Sequence, residues 1–289
     1  VDASYELAIK LAKEVDADVV AITDPDGDRL GVVAKHNGEY VLMSGNQSAA
    51  VYLEYILSQR KEKGTLPDNA VMYNTIVTSD LGELVARNYG VDVEKTLTGF
   101  KFIGDKIRKY EKTHEKQFIF GYEESYGCVV EDFVRDKDAV QAVLLAAECG
   151  NYYKKQGKDL IDVLNELYAK YGTFKESQIA LAKAGAAGAA RIKEMMDTLR
   201  QDKPTEIGGV KVVLSEDYAT SERSDGTTID LPKSNVLKYY LEDGSWIAAR
   251  PSGTEPQCKF YFSIKGKDAK DAADKTEVFH KAMMELIGE

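Results

Sequence analysis

The stretch that most constrains this chain is residues 23–31, with the sequence TDPDGDRLG. Three aspartates lie at every second position: Asp24, Asp26 and Asp28. The segments on either side, residues 18–22 and 30–34, are apolar enough to predict strands. Carboxylates this close on a tight loop repel one another unless a cation holds them, and hard oxygen ligands suit Mg²⁺.

Two other interpretations of the acidic loop compete with a magnesium site. Asp-Pro and Asp-Gly are ordinary turn formers, so a solvated turn is one alternative. An EF-hand calcium loop is another, but it requires Gly at its sixth position and an acid at its twelfth, where this chain has Arg29 and Lys35. Arg29 cannot be a metal ligand but can hold a phosphate oxygen beside the metal. We therefore predict a divalent-metal site for phosphoryl transfer.

Composition narrows the class of protein. The 289 residues suffice for roughly two domains, and the net charge of −10 disfavours binding to nucleic acid or to an anionic membrane. No apolar run approaches the length of a membrane span, and no signal peptide is visible. The three cysteines are far apart without a CxxC pair, which favours reduced thiols and a cytoplasmic location. The three histidines are scattered, which argues against a histidine-based metal site.

The order of predicted elements indicates an α/β fold with two parts. Strands and helices alternate up to about residue 172, which predicts a mixed, largely parallel sheet with helices on both faces. From about residue 173, consecutive antiparallel strands followed by a terminal helix predict a smaller α+β domain. Residues 221–228 are polar and turn-rich, and we expect them to form an exposed loop.

Two further stretches follow predicted strands of the first part, where ligand loops of such sheets lie. Residues 98–101 predict a turn before a helix beginning near residue 102, and Lys101 is positioned to transfer a proton or bind phosphate, unless it is simply a surface lysine. In residues 121–127, Glu123 and Ser125 can accept from and donate to sugar hydroxyls, although a solvated acidic loop is the alternative.

Residues 250–256, RPSGTEP, lie between two apolar strands of the second part. They combine a guanidinium, two hydroxyls and exposed backbone N–H groups within a short loop, a set suited to phosphate. The candidate residues are Arg250, Ser252, Gly253 and Thr254. The alternative is a tight hairpin turn.

Together, and in this order, these stretches resemble the motifs of the α-D-phosphohexomutase superfamily. Residues 24–29 look like its metal loop, 122–127 like its sugar-recognition loop, and 250–256 like its phosphate-binding loop. The resemblance covers essentially the whole chain. It implies the C-terminal part of domain 2 in residues 1–43, domain 3 in 44–172 and domain 4 in 173–289.

The resemblance also implies an activity and a role for each residue. A phosphoserine would donate its phosphoryl group to a hexose phosphate, and glucose 1,6-bisphosphate would be the intermediate and activator. The three aspartates would hold Mg²⁺, and Arg29 would steady the phosphoryl group. Glu123 and Ser125 would hold ring hydroxyls, the four residues of the phosphate loop would clamp the non-reacting phosphate, and Lys101 is a candidate acid/base or substrate-binding cation.

The loops at 98–104 and 123–127 are most similar to those of phosphoglucomutases. Tyr122 departs from the animal type, which has Gly there, and phosphopentomutase and phosphomannomutase stay open as alternatives. The superfamily's reactive serine lies in a Ser-His loop of domain 1, and no Ser-His pair occurs in this sequence. Because the chain also opens on Val1 inside an incomplete unit, we expect a truncated chain that is inactive, and that binds Mg²⁺ weakly or not at all, without the N-terminal domain of the same polypeptide. A non-catalytic sugar-phosphate binding module is the rival hypothesis.

Overall fold

The computed structural model describes residues 3–183, 185–253 and 255–289. The chain forms two compact units, Val1–Tyr171 and Gly172–Glu289. Each unit has its own sheets, its own helices and its own hydrophobic core.

The first unit alternates helices and strands. In chain order its elements are α1 (Ala3–Val15), β1 (Val19–Thr23), β2 (Leu30–His36), β3 (Glu39–Met43), α2 (Gly45–Glu62), β4 (Ala70–Thr75), α3 (Leu81–Asn88), β5 (Asp92–Thr96), α4 (Phe100–Thr113), β6 (Gln117–Tyr122), β7 (Cys128–Val129), α5 (Ala139–Lys154) and α6 (Leu160–Tyr171).

Two sheets organise these elements. Strands β1, β2 and β3 form an antiparallel sheet in that order, with Val20 opposite Val33. The second sheet has the order β5-β4-β6-β7, in which β5, β4 and β6 run parallel and β7 is antiparallel to β6. The predicted mixed, largely parallel sheet with helices is confirmed.

Helix α4 closes one core of the first unit. Its buried side chains at Phe100, Ile103 and Ile107 pack with Tyr73 of β4 and Phe118 of β6. The ring of Tyr73 stacks on that of Phe118, with centroids 6.0 Å apart. This packing fixes the start of α4 beside the carboxyl ends of the parallel strands, where the candidate site lies.

Helix α2 begins with a reciprocal cap. The Gln47 N–H donates to Oγ of Ser44, and the Ser44 N–H donates to Oε1 of Gln47. Asn46, in the same turn, accepts a hydrogen bond of 3.1 Å from the N–H of Ser79. The first turn of α2 is therefore fixed both by its own cap and by the loop after β4.

The second unit is an antiparallel sheet covered by two helices. Its elements are β8 (Thr173–Ala182), α7 (Gly185–Asp202), β9 (Glu206–Ile207), β10 (Val210–Asp217), β11 (Glu222–Arg223), β12 (Leu237–Leu241), β13 (Trp246–Pro251), β14 (Gln257–Gly266) and α8 (Ala269–Leu286). The main strand order is β11-β10-β12-β13-β14-β8, and β9 pairs with β10.

The core of the second unit lies between this sheet and the two helices. Met195 and Met196 of α7 and Phe279 and Met283 of α8 are buried against residues of β12, β13 and β14, including Phe260. The predicted α+β domain with an antiparallel sheet is confirmed.

Two local predictions were inaccurate. Helix α4 begins at Phe100 rather than near residue 102, because Oε1 of Glu123 accepts the otherwise unpaired N–H of Gly99 at the helix start. Residues 221–228 are not entirely a loop, since Glu222 and Arg223 form β11. The guanidinium of Arg223 lies 2.8 Å from the buried carboxylate of Glu216, and this ion pair holds the short strand against β10.

Within the described part of the chain, none of the helices combines the length and the apolarity that crossing a membrane requires. All three cysteines, Cys128, Cys149 and Cys258, are buried free thiols, and burial raises the pKa of Cys128 and of Cys258 to about 12.

Candidate active site

The acidic loop between β1 and β2 is held by its own backbone. The N–H groups of Asp28 and Arg29 both donate to Oδ1 of Asp24, each over 3.1 Å, and the Gly27 N–H donates to the carbonyl of Asp24. Burial alone would raise the pKa of Asp24, but the hydrogen bonds from Arg29 and Asp28 outweigh it and hold that pKa below its usual value. Asp24 is therefore an anion whose orientation is fixed.

The three aspartates fit a divalent cation. One carboxylate oxygen from each of Asp24, Asp26 and Asp28 lies within 4.8 Å of the others. Oδ1 of Asp28 is buried and accepts no hydrogen bond from any described residue. Because a buried carboxylate oxygen without a partner is costly, and all three donors are hard oxygens, this donor set suits Mg²⁺.

Arg29 lies at the edge of this group. Its Nε is 3.8 Å from Oδ1 of Asp28, and its side chain is 52% exposed. The guanidinium is thus near the aspartates on a side chain that is about half exposed, so an anion from solvent can reach it.

The predicted sugar loop connects β6 to β7. Glu123 is 9% exposed, and its Oε1 accepts a hydrogen bond of 2.7 Å from the N–H of Gly99. Glu124 accepts a bond of 3.2 Å from the hydroxyl of Thr75, whereas Ser125 is half-buried. Glu123 is held in one orientation by its bond to Gly99.

The metal loop and the sugar loop are joined by backbone contacts. The Leu30 N–H donates to the carbonyl of Tyr126 over 3.1 Å, and Arg29 pairs with Gly127 in an antiparallel bridge. Tyr126 has a φ of 70°, a conformation that a non-glycine residue rarely adopts, and it turns the sugar loop toward β2. The structure therefore brings the metal loop and the sugar loop together within the first unit.

Lys101 occupies the first turn of α4 and not the turn before it. Its side chain is exposed, and its Nζ lies 4.9 Å from the ring centroid of Phe102. No described contact directs Lys101 toward the aspartates, so its role stays a prediction.

The predicted phosphate loop connects β13 to β14 in the second unit. Arg250 lies on β13 opposite Lys259, and Oγ of Ser252 accepts a hydrogen bond of 3.2 Å from the Glu255 N–H. Gly253 is exposed, and a Cβ at this position would meet no atom within 4 Å. Thr254 lies outside the described residues. A cavity of about 450 Å³ lies between this loop and α7, bordered by Pro251, Ser252, Glu255 and Pro256 on the loop side.

One residue of this region was missed by sequence reasoning. Nζ of Lys137, in the segment before α5, lies 2.9 Å from Oδ2 of Asp28. In the sequence Lys137 belongs to the charged run Arg135-Asp136-Lys137-Asp138, which reads as an ordinary helix start. Only the fold places it beside the metal loop.

Profiles of known families match both halves of the chain. Residues 44–171 match the alpha/beta/alpha domain III of phosphoglucomutase/phosphomannomutase, and residues 182–279 match the C-terminal domain of the same proteins. The chain belongs to the phosphoglucomutase/phosphomannomutase family. The sugar loop lies inside the domain III match, the phosphate loop lies inside the C-terminal-domain match, and the metal loop precedes both.

Phosphoglucomutases of staphylococci are among the relatives. The protein of Staphylococcus haemolyticus strain JCSC1435 is 38% identical over 267 residues, which cover 90% of this chain and 47% of that protein. The protein of Staphylococcus aureus strain MRSA252 is 38% identical over 278 residues, which cover 94% of this chain and 49% of that protein. The chain thus spans about half the length of the curated relatives it matches.

Solved structures of the family share the fold. The Paramecium exocytosis-sensitive phosphoprotein pp63/parafusin, in its open form, superposes with a TM-score of 0.69 at 19% identity, covering 99% of this chain and 50% of that one. A phosphoglucomutase/phosphomannomutase family protein from Burkholderia thailandensis gives a TM-score of 0.62 at 18% identity, covering 98% of this chain and 50% of that one.

Proposed function

We propose that this chain carries the metal, sugar and phosphate loops of a phosphoglucomutase, which interconverts glucose 1-phosphate and glucose 6-phosphate through a bisphosphorylated sugar. The observation that carries the proposal is the hydrogen bond from Leu30 to Tyr126, which joins a three-aspartate loop to a loop bearing Glu123 and Ser125. A cation-binding loop beside a sugar-binding loop is what phosphoryl transfer to a sugar hydroxyl requires.

At the metal loop, Asp24, Asp26 and Asp28 would hold Mg²⁺, which when bound neutralises charge on a transferring phosphoryl group. Arg29, with its exposed guanidinium next to Asp28, would contact the same phosphoryl oxygens. The fixed orientation of Asp24 lowers the cost of arranging this site when the substrate arrives.

At the sugar loop, Glu123 would accept hydrogen bonds from ring hydroxyls. One of its oxygens already accepts from Gly99, so the carboxylate is positioned before the sugar binds. Ser125 can donate to or accept from a neighbouring hydroxyl, so the same pair suits a sugar presented in either of two orientations.

At the phosphate loop, Arg250, Ser252, Gly253 and Thr254 would bind the phosphate that does not react. A guanidinium offers two parallel donors to a phosphate, and hydroxyl and backbone N–H donors complete the set. Lys101 stays a candidate for proton transfer or substrate binding. The buried, unpaired thiols are consistent with a cytoplasmic enzyme.

The sequence contains no Ser-His pair, and we propose that the phosphoserine of the cycle lies in the part of a full-length phosphoglucomutase that this chain does not match. We therefore expect a rigorously purified sample of the chain to show no phosphoglucomutase turnover alone. Measurable conversion of glucose 1-phosphate that copurifies with the chain through successive columns would contradict this.

The choice of sugar is tested by binding. Glucose 1-phosphate, mannose 1-phosphate and ribose 1-phosphate are titrated into the chain under identical conditions. The proposal predicts the tightest binding for glucose 1-phosphate. Preference for mannose 1-phosphate or ribose 1-phosphate would instead indicate a phosphomannomutase or a phosphopentomutase.

A further inference from the structure

The contacts of Lys137 identify it as part of the metal loop's surroundings. Its Nζ lies 2.9 Å from Oδ2 of Asp28 and 3.0 Å from Oδ1 of Asp136. The Lys137 side chain is only 13% exposed, whereas Asp136 is 70% exposed. A lysine is rarely this buried without a specific partner, and Asp28 is the better enclosed of its two carboxylates.

The side chain of Lys137 packs against Gly127 of the sugar loop. A Cβ placed on Gly127 would lie 2.2 Å from Cδ of Lys137, so the aliphatic stem passes where only glycine leaves room. Nζ of Lys137 lies 5.6 Å from the ring centroid of Phe100. The stem therefore runs across the sugar loop and delivers its ammonium group to the metal loop.

A lysine ammonium group is charged at neutral pH, and at this position it faces two carboxylates, those of Asp28 and Asp136. The other oxygen of Asp28 accepts no hydrogen bond from the described residues. Lys137 thus supplies part of the positive charge that the three aspartates require, and leaves one buried oxygen unsatisfied.

We propose that Lys137 is the counterion of the metal loop before metal binds, and that a divalent cation displaces its ammonium group from Asp28. The proposal rests on the proposed metal site. Oδ1 of Asp28 can coordinate without Lys137 moving, but an ammonium group on Oδ2 of the same carboxylate lies a few ångströms from an ion bound there, and two cations that close repel each other. Lys137 is therefore a positioning residue. It stabilises the metal loop when no metal is bound, and it lowers the affinity of that loop for a divalent cation.

The displacement also links the metal loop to the sugar loop. The stem of Lys137 packs against Gly127 of the sugar loop. When the Lys137 side chain leaves Asp28, its contact with the sugar loop must therefore change as well. The ammonium group retains Asp136 as a partner when it leaves Asp28.

The test measures Mn²⁺ binding to the full 289-residue chain by electron paramagnetic resonance, which requires no enzymatic activity. Lys137→Met should bind Mn²⁺ about tenfold more tightly than wild type, since the competing cation is gone. Lys154→Met is the matched control. Lys154 pairs with Asp18 and is 64% exposed, so its removal changes the net charge equally but should change the affinity less than about twofold.

Asp26→Asn separates this inference from the metal site itself. Loss of Mn²⁺ binding in Asp26→Asn together with tighter binding in Lys137→Met supports both. Loss in Asp26→Asn with no gain in Lys137→Met leaves the metal site in place and overturns the role of Lys137. No Mn²⁺ binding to Lys137→Met, from which the competing cation has been removed, overturns both.

A second measurement does not depend on the folding of any methionine variant. In wild-type chain with isotope-labelled lysine side chains, the signal absent from Lys137→Arg identifies Lys137. That signal should shift saturably as Mg²⁺ is added. A Lys137 signal that is unchanged at Mg²⁺ saturation contradicts displacement.

Discussion

The N–H of Leu30 and the carbonyl of Tyr126 form a hydrogen bond of 3.1 Å that joins the metal loop to the sugar loop. Leu30 opens β2, a strand buried along most of its length, and Tyr126 lies at the left-handed turn of the sugar loop. A displacement of either loop must therefore reach the other.

Gly45, the first residue of α2, supports the sugar loop by having no side chain. A Cβ on Gly45 would lie 2.4 Å from the carbonyl oxygen of Glu124 and 2.7 Å from the N of Tyr126, both backbone atoms. Gly45→Ala should therefore shift the sugar loop, lower the free energy of unfolding by about 1–3 kcal/mol and weaken glucose 1,6-bisphosphate binding about tenfold. Urea denaturation and calorimetric titration measure the two effects.

Glu62→Ala, at the other end of α2, is the control for Gly45→Ala. Glu62 is exposed, and among the described residues its carboxylate accepts a hydrogen bond from Gln59 alone. We expect its substitution to change stability by less than about 0.5 kcal/mol and to leave sugar binding unchanged. Equal effects of the two substitutions would show that the close approach at Gly45 is not what holds the sugar loop.

Glu123→Gln tests the carboxylate of the sugar loop. Its amide oxygen can still accept from Gly99, so the stability of the chain should change little. The charged acceptor for sugar hydroxyls is lost, and glucose 1,6-bisphosphate binding should weaken about tenfold. Glu124→Gln, beside it, should have a smaller effect, since the Glu124 carboxylate accepts from Thr75. A larger loss of affinity in Glu124→Gln than in Glu123→Gln would reverse the assignment.

Glu94 gives the first unit an acid-sensitive contact. Burial would raise its pKa, but hydrogen bonds from Lys106, Lys116 and Tyr110 outweigh it and lower the pKa of Glu94 to about 2, from an ordinary value of 4.5. Since the folded-state pKa is depressed, this stabilisation is present above about pH 4.5 and is lost as the pH falls toward about 2.

Comparing wild type with Glu94→Gln by denaturant unfolding at several pH values tests this. The wild type should be more stable by about 1–2 kcal/mol at pH 6, a figure that allows for screening by solvent, and the difference should shrink between pH 4.5 and pH 2. A difference that is constant over that range would contradict the assignment of the depressed pKa to Glu94.

Arg250→Lys tests the phosphate loop. It keeps the charge but removes the planar pair of donors that a guanidinium presents to phosphate. Binding of glucose 6-phosphate should weaken about tenfold, with unfolding unchanged, because Arg250 is half-buried at the end of β13 and its backbone pairing is independent of its side chain. Arg108→Lys, an exposed position on α4, is the control. Unaltered binding in Arg250→Lys would remove Arg250 from the phosphate site.

Sequence reasoning predicted a metal loop because three aspartates broken by Pro and Gly between two apolar strands have few structural alternatives, and the structure brings these three carboxylates together. It placed β12, β13 and β14 in one antiparallel sheet because their apolar runs are separated by turn residues. Strand β7 was not predicted, because a strand of two residues, Cys128–Val129, has no detectable periodicity.

The remaining misses depend on contacts that are distant in the chain. The start of α4 is set by Glu123, which follows the next strand and accepts the Gly99 N–H. Lys137 has no local feature that distinguishes it from neighbouring charged residues, and its partner Asp28 lies more than a hundred residues earlier, in the loop between β1 and β2. Such pairings are decided by packing and leave no signal in local composition.

The central claim is tested most directly by calorimetric titration of glucose 1,6-bisphosphate into the 289-residue chain in the presence of Mg²⁺, comparing wild type with the double substitution Glu123→Gln, Ser125→Ala. We predict saturable binding of one ligand to the wild type and a loss of affinity of at least about tenfold in the double variant, whose folded state is checked by circular dichroism. Binding that is absent from the wild type, or equal in the two chains, would contradict the account.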